Sequence, residues 1–161
     1  MHIVLISTPV GSLGSGKGGG VEITLNSLVS ELAEQGNTLD IVAPVNSKLL
    51  ESSKNVQLHV VGGEEQISWQ HQDYYSPVSI PNNSLLSGMI EKALDLGKKA
   101  DIVLNFSYDW LPIWMTLNTN IPIAHIISMG SESHVVSSLV KRVYSKFPNN
   151  FAFHSKIQAS D

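Results

Sequence analysis

The chain contains no cysteine, so it forms no disulfide and offers no thiolate to a metal, a composition that fits a reducing compartment. Its 10 lysines and arginines form no cluster, and the net charge is -4 with an isoelectric point near 5.8. Nothing here suits the phosphate backbone of a nucleic acid. No apolar stretch approaches bilayer length, and the opening run His2-Ile3-Val4-Leu5-Ile6-Ser7 is too short for a secretion signal and has no basic region before it. Internal repeats, low-complexity tracts and linkers are also missing, and no Asp-x-Asp pair or His cluster offers a metal site. These absences lead us to expect a soluble cytoplasmic protein without a transmembrane segment. At 161 residues the chain has about the length of one domain, 1–161, long enough to bury roughly two-thirds of its unfolded surface.

What is present is an alternation of strand-length apolar runs with helix-period segments, the pattern of a parallel sheet covered on both faces. The first run leads through Gly11 to Glu22, GSLGSGKGGGVE, into a helix over Val21 to Gln35 whose Val21, Leu25, Leu28, Val29 and Leu32 recur at helical spacing. Gly36 and Asn37 suit its C-terminal cap. Leu39 to Ala43, stopped by Pro44, and Val56 to Val61, stopped by Gly62-Gly63, read as the second and third strands. Glu64 to Asn83 carries three aromatics and two prolines with little periodicity, and is expected to be a long surface loop. A helix over Ser84 to Lys98 shows an apolar stripe at Leu85, Leu86, Met89, Ile90, Ala93 and Leu94. The spacing then predicts a strand over Asp101 to Phe106, a short helix over Trp110 to Leu117, and a strand over Ile121 to Ser128. A helix over Ser131 to Tyr144, a sixth strand from Phe151 to His154, and the opening of a helix at Gln158 to Asp161 complete the reading. The fold class expected is α/β, a doubly wound, mostly parallel, Rossmann-like sheet.

In such sheets ligands sit beyond the carboxyl ends of the strands, where successive crossovers diverge. That gathers the glycine loop, Ser107-Tyr108-Asp109-Trp110 after the fourth strand, and Ser128-Met129-Gly130-Ser131-Glu132-Ser133 after the fifth. A glycine-rich turn between strand and helix lets backbone N–H groups and the positive helix end approach an anion. Gly11 to Lys17 satisfies G-x-x-x-x-G-K, yet Gly18 follows where a P-loop needs Ser or Thr for magnesium. Gly14-Ser15-Gly16 through Gly19 fits G-x-G-x-x-G, yet no acidic residue ends the second strand, Asp40 lying at its start. Neither a nucleoside triphosphatase nor NAD binding is supported.

Each residue also has a plainer reading. The glycines also read as a flexible turn, Lys17 as a solvated charge, and Glu22 as a complement to the helix dipole. His125 within an apolar strand reads as a hydrogen-bonded core histidine. Trp110 and Trp114, four apart, suit anchoring a helix to the core, while Tyr108, Asp109 and Trp110 together suit holding a planar acceptor. Trp69, His71, Tyr74 and Tyr75 in the long loop read either as a lid or as aromatics folded back on the core.

The opening strand, Lys17-Gly18-Gly19-Gly20-Val21-Glu22, then Leu28, Leu32 and Gly36 before Leu39-Asp40-Ile41-Val42-Ala43-Pro44 resemble the amino-terminal domain of retaining GT-B glycosyltransferases. That is the family of glycogen synthases, sucrose synthases and bacterial lipid mannosyltransferases, whose loop reads K-x-G-G-L or G-G-V-E here. Its strand D-[VI]-[VI]-H-x-H is matched by Asp101-Ile102-Val103-Leu104-Asn105-Phe106, and I-P-[VI]-[VA]-x-x-x-H by Ile121-Pro122-Ile123-Ala124-His125-Ile126-Ile127-Ser128. Phe106 and Ser128 stand where the family often has histidine, so no acceptor-side histidine carries over. The phrases N-F-S-Y-D-W-L-P and H-I-I-S-M-G-S are further similar to the cyanobacterial pteridine glucosyltransferases, which use UDP-glucose on tetrahydrobiopterin.

The resemblance implies the acceptor-binding half of an enzyme that moves a sugar from a nucleotide-sugar to a small acceptor. Its partners would be those two molecules and its own carboxyl-terminal donor-binding domain, whose E-x7-E carboxylate and Arg/Lys pair do not occur in these residues. Donor phosphates would face Lys17, Gly18, Gly19 and Gly20, where N–H groups and an ammonium neutralise a leaving diphosphate. The acceptor would meet Asn105, Tyr108, Asp109, Trp110, Ser128, Met129, Gly130 and Glu132. The catalytic residues would lie in the other half, and the scheme calls for no metal or cofactor beyond the donor. The alternative is a free-standing flavodoxin-like ligand- or phosphate-binding module without transferase activity.

Overall fold

A computed structural model describes residues 1–49 and 53–160. Six parallel strands, β1 (His2–Ile6), β2 (Thr38–Pro44), β3 (Val56–Val61), β4 (Ile102–Asn105), β5 (Ile123–Ile127) and β6 (Phe151–Phe153), form one sheet in the order β3-β2-β1-β4-β5-β6. The helices are α1 (Gly20–Glu34), α2 (Leu85–Gly97), α3 (Trp110–Met115), α4 (His134–Tyr144) and α5 (Lys156–Ser160). The expected α/β, Rossmann-like architecture is what is found, with every strand pairing parallel. The helix foreseen from Gln158 opens two residues earlier, as α5, Lys156–Ser160. Asp161 lies outside the described residues.

Side chains alternate between two cores, as a period of two requires. Val4, Ile6, Val42, Val103 and Ile123 meet Leu85, Leu86, Met89, Ile90 and Ala93 of α2 on one face. Ile3, Leu5, Leu39, Ile41 and Ala43 meet Leu25 and Val29 of α1 on the other. The expected cover on both faces is complete over β1 and β2, whose interiors are buried throughout. In β4 and β5 burial alternates residue by residue, and Leu104 and Ile126 on the α1 side are half-buried.

Helix ends follow local chemistry. Gly36 takes φ +82° after α1, its N–H bonds the Ala33 carbonyl at 3.0 Å, and Asn37 N–H bonds that of Leu32 at 3.1 Å, a Schellman closure. Ser84 and Ser133 cap α2 and α4 by accepting from Ser87 and Val136 N–H. Helix α4 opens three residues later than periodicity suggests, because Ser133 is its cap.

Two polar networks cross the sheet. Asp40, buried in β2, receives His2 Nε2 and His59 Nε2 at 2.6 Å each. Burial pushes this carboxyl up, but the hydrogen bonds and charge of His59 and His2 hold it below the usual range. On β4 and β5, Asn105 Nδ2 donates to His125 Nδ1 at 3.1 Å, and His125 Nε2 reaches Thr116 Oγ1 at 2.8 Å. His125 is fully buried, the core histidine that the apolar strand suggested.

Burial pushes the His125 pKa down from 6.5 to about 4. The unfolded chain then binds more protons than the folded one between those values, so stability is lost as pH falls through that window. At about 1.4 kcal/mol per pH unit the effect is on the order of 3 kcal/mol. Urea denaturation between about pH 7 and pH 4 tests this, and His125→Gln is expected to flatten that slope.

Candidate functional site

The crossovers from β1 to β2 and from β4 to β5 leave in opposite directions, which opens a crevice beyond the carboxyl ends of β1 and β4. A cleft of about 440 Å³ occupies it. Its walls are the end of β1 (Thr8, Pro9, Val10), the loop and first turn of α1 (Lys17, Gly18, Gly19, Gly20, Val21, Thr24), and Ile67 to Gln70. The ends of β4 (Phe106, Tyr108, Asp109), β5 (Ser128, Met129) and β6 (His154) complete it.

The glycine loop is tied down at both sides. Leu13, buried in the α1-side core, donates its N–H to Ser47 Oγ at 2.9 Å and accepts from Lys48 N–H at 3.0 Å. Glu22, the third residue of α1, turns back into the loop, where Gly14 N–H (2.8 Å), Gly16 N–H (3.3 Å) and Gly18 N–H (2.6 Å) all donate to its carboxylate. It is 6% exposed, an acidic residue in the first turn of α1 as its position suggested, but with its carboxylate turned back on the loop. Gly19 caps the helix at φ +55°, a conformation that disfavours a side chain. Among the described residues no acceptor meets the Gly20 N–H, and Lys17 is exposed at the cleft rim.

The long loop runs over the surface as expected, with Trp69 its one buried residue. Its ends are clasped by Glu64 N–H to Asn83 O at 2.7 Å and Leu85 N–H to Glu64 O at 3.0 Å. Trp69 sits in a single 3-10 turn, Trp69–His71, and is buried among Ile113, Val136, Leu139 and Val143. Its indole N–H donates to Asp109 Oδ2 at 3.2 Å, beside Gln66 Nε2 at 3.4 Å, while Trp110 N–H donates to Oδ1 at 2.7 Å. Asp109 is therefore the N-cap of α3 and the anchor of the loop. Burial pushes its carboxyl up, and these donors pull the other way.

Lys17, Gly18, Gly19, Gly20, Tyr108, Asp109, Ser128 and Met129 thus share one cleft. The other named residues lie elsewhere. Asn105 is buried beneath the rim, its amide spent on His125 and on the Ser107 main chain. Trp110 stacks on Trp114, centroids 4.9 Å apart and 14° from parallel, with the Arg142 guanidinium 5.4 Å from the Trp114 ring. Both indoles border an outer groove with His134 and Leu139. Gly130 lines a smaller cavity of about 90 Å³ with Tyr108, Met129, Tyr144 and Phe153. Glu132 is exposed, and its N–H bonds Gly130 O at 2.9 Å. Burial raises the Tyr108 pKa, and its hydroxyl lies 3.4 Å from Ser137 Oγ. Ser107 Oγ and Ser128 Oγ are buried without a partner among the described residues.

The sequence reading named neither Thr8, Pro9 and Val10 nor Thr24 and His154 as cleft residues, and Trp69, read as a lid or as an aromatic folded back on the core, is the second. The first three follow β1 directly and were within reach of the strand-end rule. Trp69 arrives through tertiary packing that no local spacing encodes. Compared with protein-family models and with curated proteins, the chain matches none. Among the described residues no helix is long and apolar enough to cross a membrane.

Removing the Asp109 carboxylate orphans three protein donors, at about 1–3 kcal/mol for a buried group left unsatisfied. Asp109→Ala is therefore expected to lower the melting temperature and shift Trp69 fluorescence, while Asp109→Asn, which keeps one acceptor oxygen but turns an NH2 toward donors at the other, falls between. Melting of both variants unchanged from wild type would return Asp109 to the status of a free ligand-facing carboxylate.

Proposed function

We propose that this chain is the acceptor-side half of a retaining glycosyltransferase of the GT-B type, moving a sugar, glucose from UDP-glucose in the specific reading, to a small acceptor. The observation that carries this is the common cleft: the glycine loop and the ends of β4 and β5 open on one crevice at the point where the crossovers diverge. A glycine loop with an exposed Lys17 and a free Gly20 N–H suits a diphosphate, whose developing charge needs donors already in place. The Tyr108 side chain and the polar ends of β4 and β5 suit a planar, hydrogen-bonding acceptor, a reduced pterin in the narrowest form of the reading.

Within that reading the roles would divide differently from the expectation. Stacking falls to Tyr108 rather than Trp110, which packs against Trp114 outside the cleft. Asp109, whose carboxylate already takes three donors, would be less free to hydrogen-bond the acceptor than that expectation had it. The alternative, a flavodoxin-like binding module, would have strand order 2-1-3-4-5. The observed order, 3-2-1-4-5-6, favours the first reading over that one.

The chain alone, without a donor domain, is expected to bind UDP-glucose no tighter than about millimolar, near -4 kcal/mol. Micromolar affinity by calorimetry would sink the view that donor recognition lies elsewhere. In an enzyme that joins this chain to a donor domain, Gly20→Val should cut turnover strongly while the fold tolerates it, since a Cβ there meets nothing within 4 Å. Lys17→Ala should cost about tenfold to a hundredfold, in the range of 1.4 kcal/mol per factor of ten. Transfer to glucans or lipids but never to pterins would discard the pterin acceptor and leave the transferase standing.

A further inference from the structure

A carboxylate at the third position of a helix ordinarily answers the free N–H groups of that helix's own first turn. Glu22 instead gathers N–H groups from alternate residues of the preceding loop, Gly14, Gly16 and Gly18, with Ser15 Oγ at 3.5 Å from Oε1. Gly14 and Gly16 take φ of +84° and +78°, so their amides converge as in an anion-binding nest. That nest is filled from within the chain. The contact is also tight: a Cβ on Gly18 would lie 2.8 Å from Glu22 Cγ and 3.1 Å from Thr8 Cγ2.

A glycine-rich segment left free samples many backbone states, and each one fixed costs entropy. A buried anion contacted by three amides selects one of them. We propose that Glu22 is the positioning residue of the cleft, a built-in anion that occupies the inner side of the glycine loop and so holds its outer side, Lys17 and the Gly20 N–H, ready for an external anion. The inner contact stands on the geometry alone. What the outer side receives rests on the phosphate reading given above. Because the nest is full, an incoming phosphate would meet only the outer donors, and the amides of Gly14, Gly16 and Gly18 would stay on Glu22.

The test compares the full 161-residue chain as wild type, Glu22→Gln and Glu22→Ala. Amide hydrogen exchange is read at Gly14, Gly16 and Gly18, in sodium formate and in sodium chloride of equal ionic strength. In Glu22→Ala these three amides should exchange about tenfold faster or more, the loss of roughly one hydrogen bond's net worth to each. Formate, a free carboxylate, should restore protection where chloride does not. Glu22→Gln, which keeps one acceptor oxygen, should fall between, and it carries the same measurements if the alanine variant fails to fold. Unchanged exchange in the variants, or equal responses to the two salts, overturns the proposal. A titration with inorganic pyrophosphate, followed at the Gly20 amide, then separates positioning from mere structure. Binding by the wild type that weakens in the variants supports the proposal, and equal binding in all three overturns it. If the wild type itself does not respond, the phosphate reading of the cleft falls, and exchange and formate rescue still decide the role of Glu22.

Discussion

A carboxylate taken out of water is costly unless donors meet it, and the cleft is organised around two that are met. Glu22 collects the amides of the glycine loop, and Asp109 collects the Trp110 amide, the Trp69 indole and Gln66. The first fixes the wall contributed by β1 and α1. The second fixes the wall contributed by the end of β4 and by the long loop, which has no extended regular structure of its own. With both in place, the two walls of the crevice are held by hydrogen bonds to buried groups rather than by flexible surface contacts. The space between them is shaped before any ligand arrives.

Much of the architecture was legible because its signals are local. Ser84 ahead of an apolar stripe, Gly36-Asn37 after one, and short apolar runs between them mark elements by capping chemistry and periodicity, which neighbouring residues settle among themselves. Ser133, as its cap, holds α4 back, while β2 runs one residue past the expected stop, Pro44 pairing last opposite Val61. The uneven cover of β4 and β5 was less legible. Their sequences read as continuous apolar runs, but which face a helix covers depends on the path of the crossovers.

The candidate site was legible in outline, since the strand-end rule placed the glycine loop, Tyr108, Asp109, Ser128 and Met129 together. Individual roles were legible only in part. Trp110 has Trp114 one turn away and prefers that ring to the crevice. Asp109 meets an indole and an amide from a segment some 40 residues distant in sequence. Glu22 carried a local signal that was there to be weighed: a carboxylate at the third helical position directly behind a glycine run is placed to fold back on that run.

The pairing of β1 with β4 sets the order in which the chain can assemble. His2 N–H reaches the Asp101 carboxylate at 2.7 Å across 99 positions, whereas β2 and β3 follow β1 within the next stretch of chain. Each doubling of a closing loop adds only about 0.6 kcal/mol, so the separation weighs on rate more than on final stability. During synthesis β1 acquires one neighbour early and keeps its other edge unpaired until residues beyond 100 emerge. An unpaired parallel edge is a template for any strand that meets it first. A strand that ends at the centre of the finished sheet therefore passes through a stage as an edge, and fidelity of assembly depends on β4 reaching it before a strand from another molecule does.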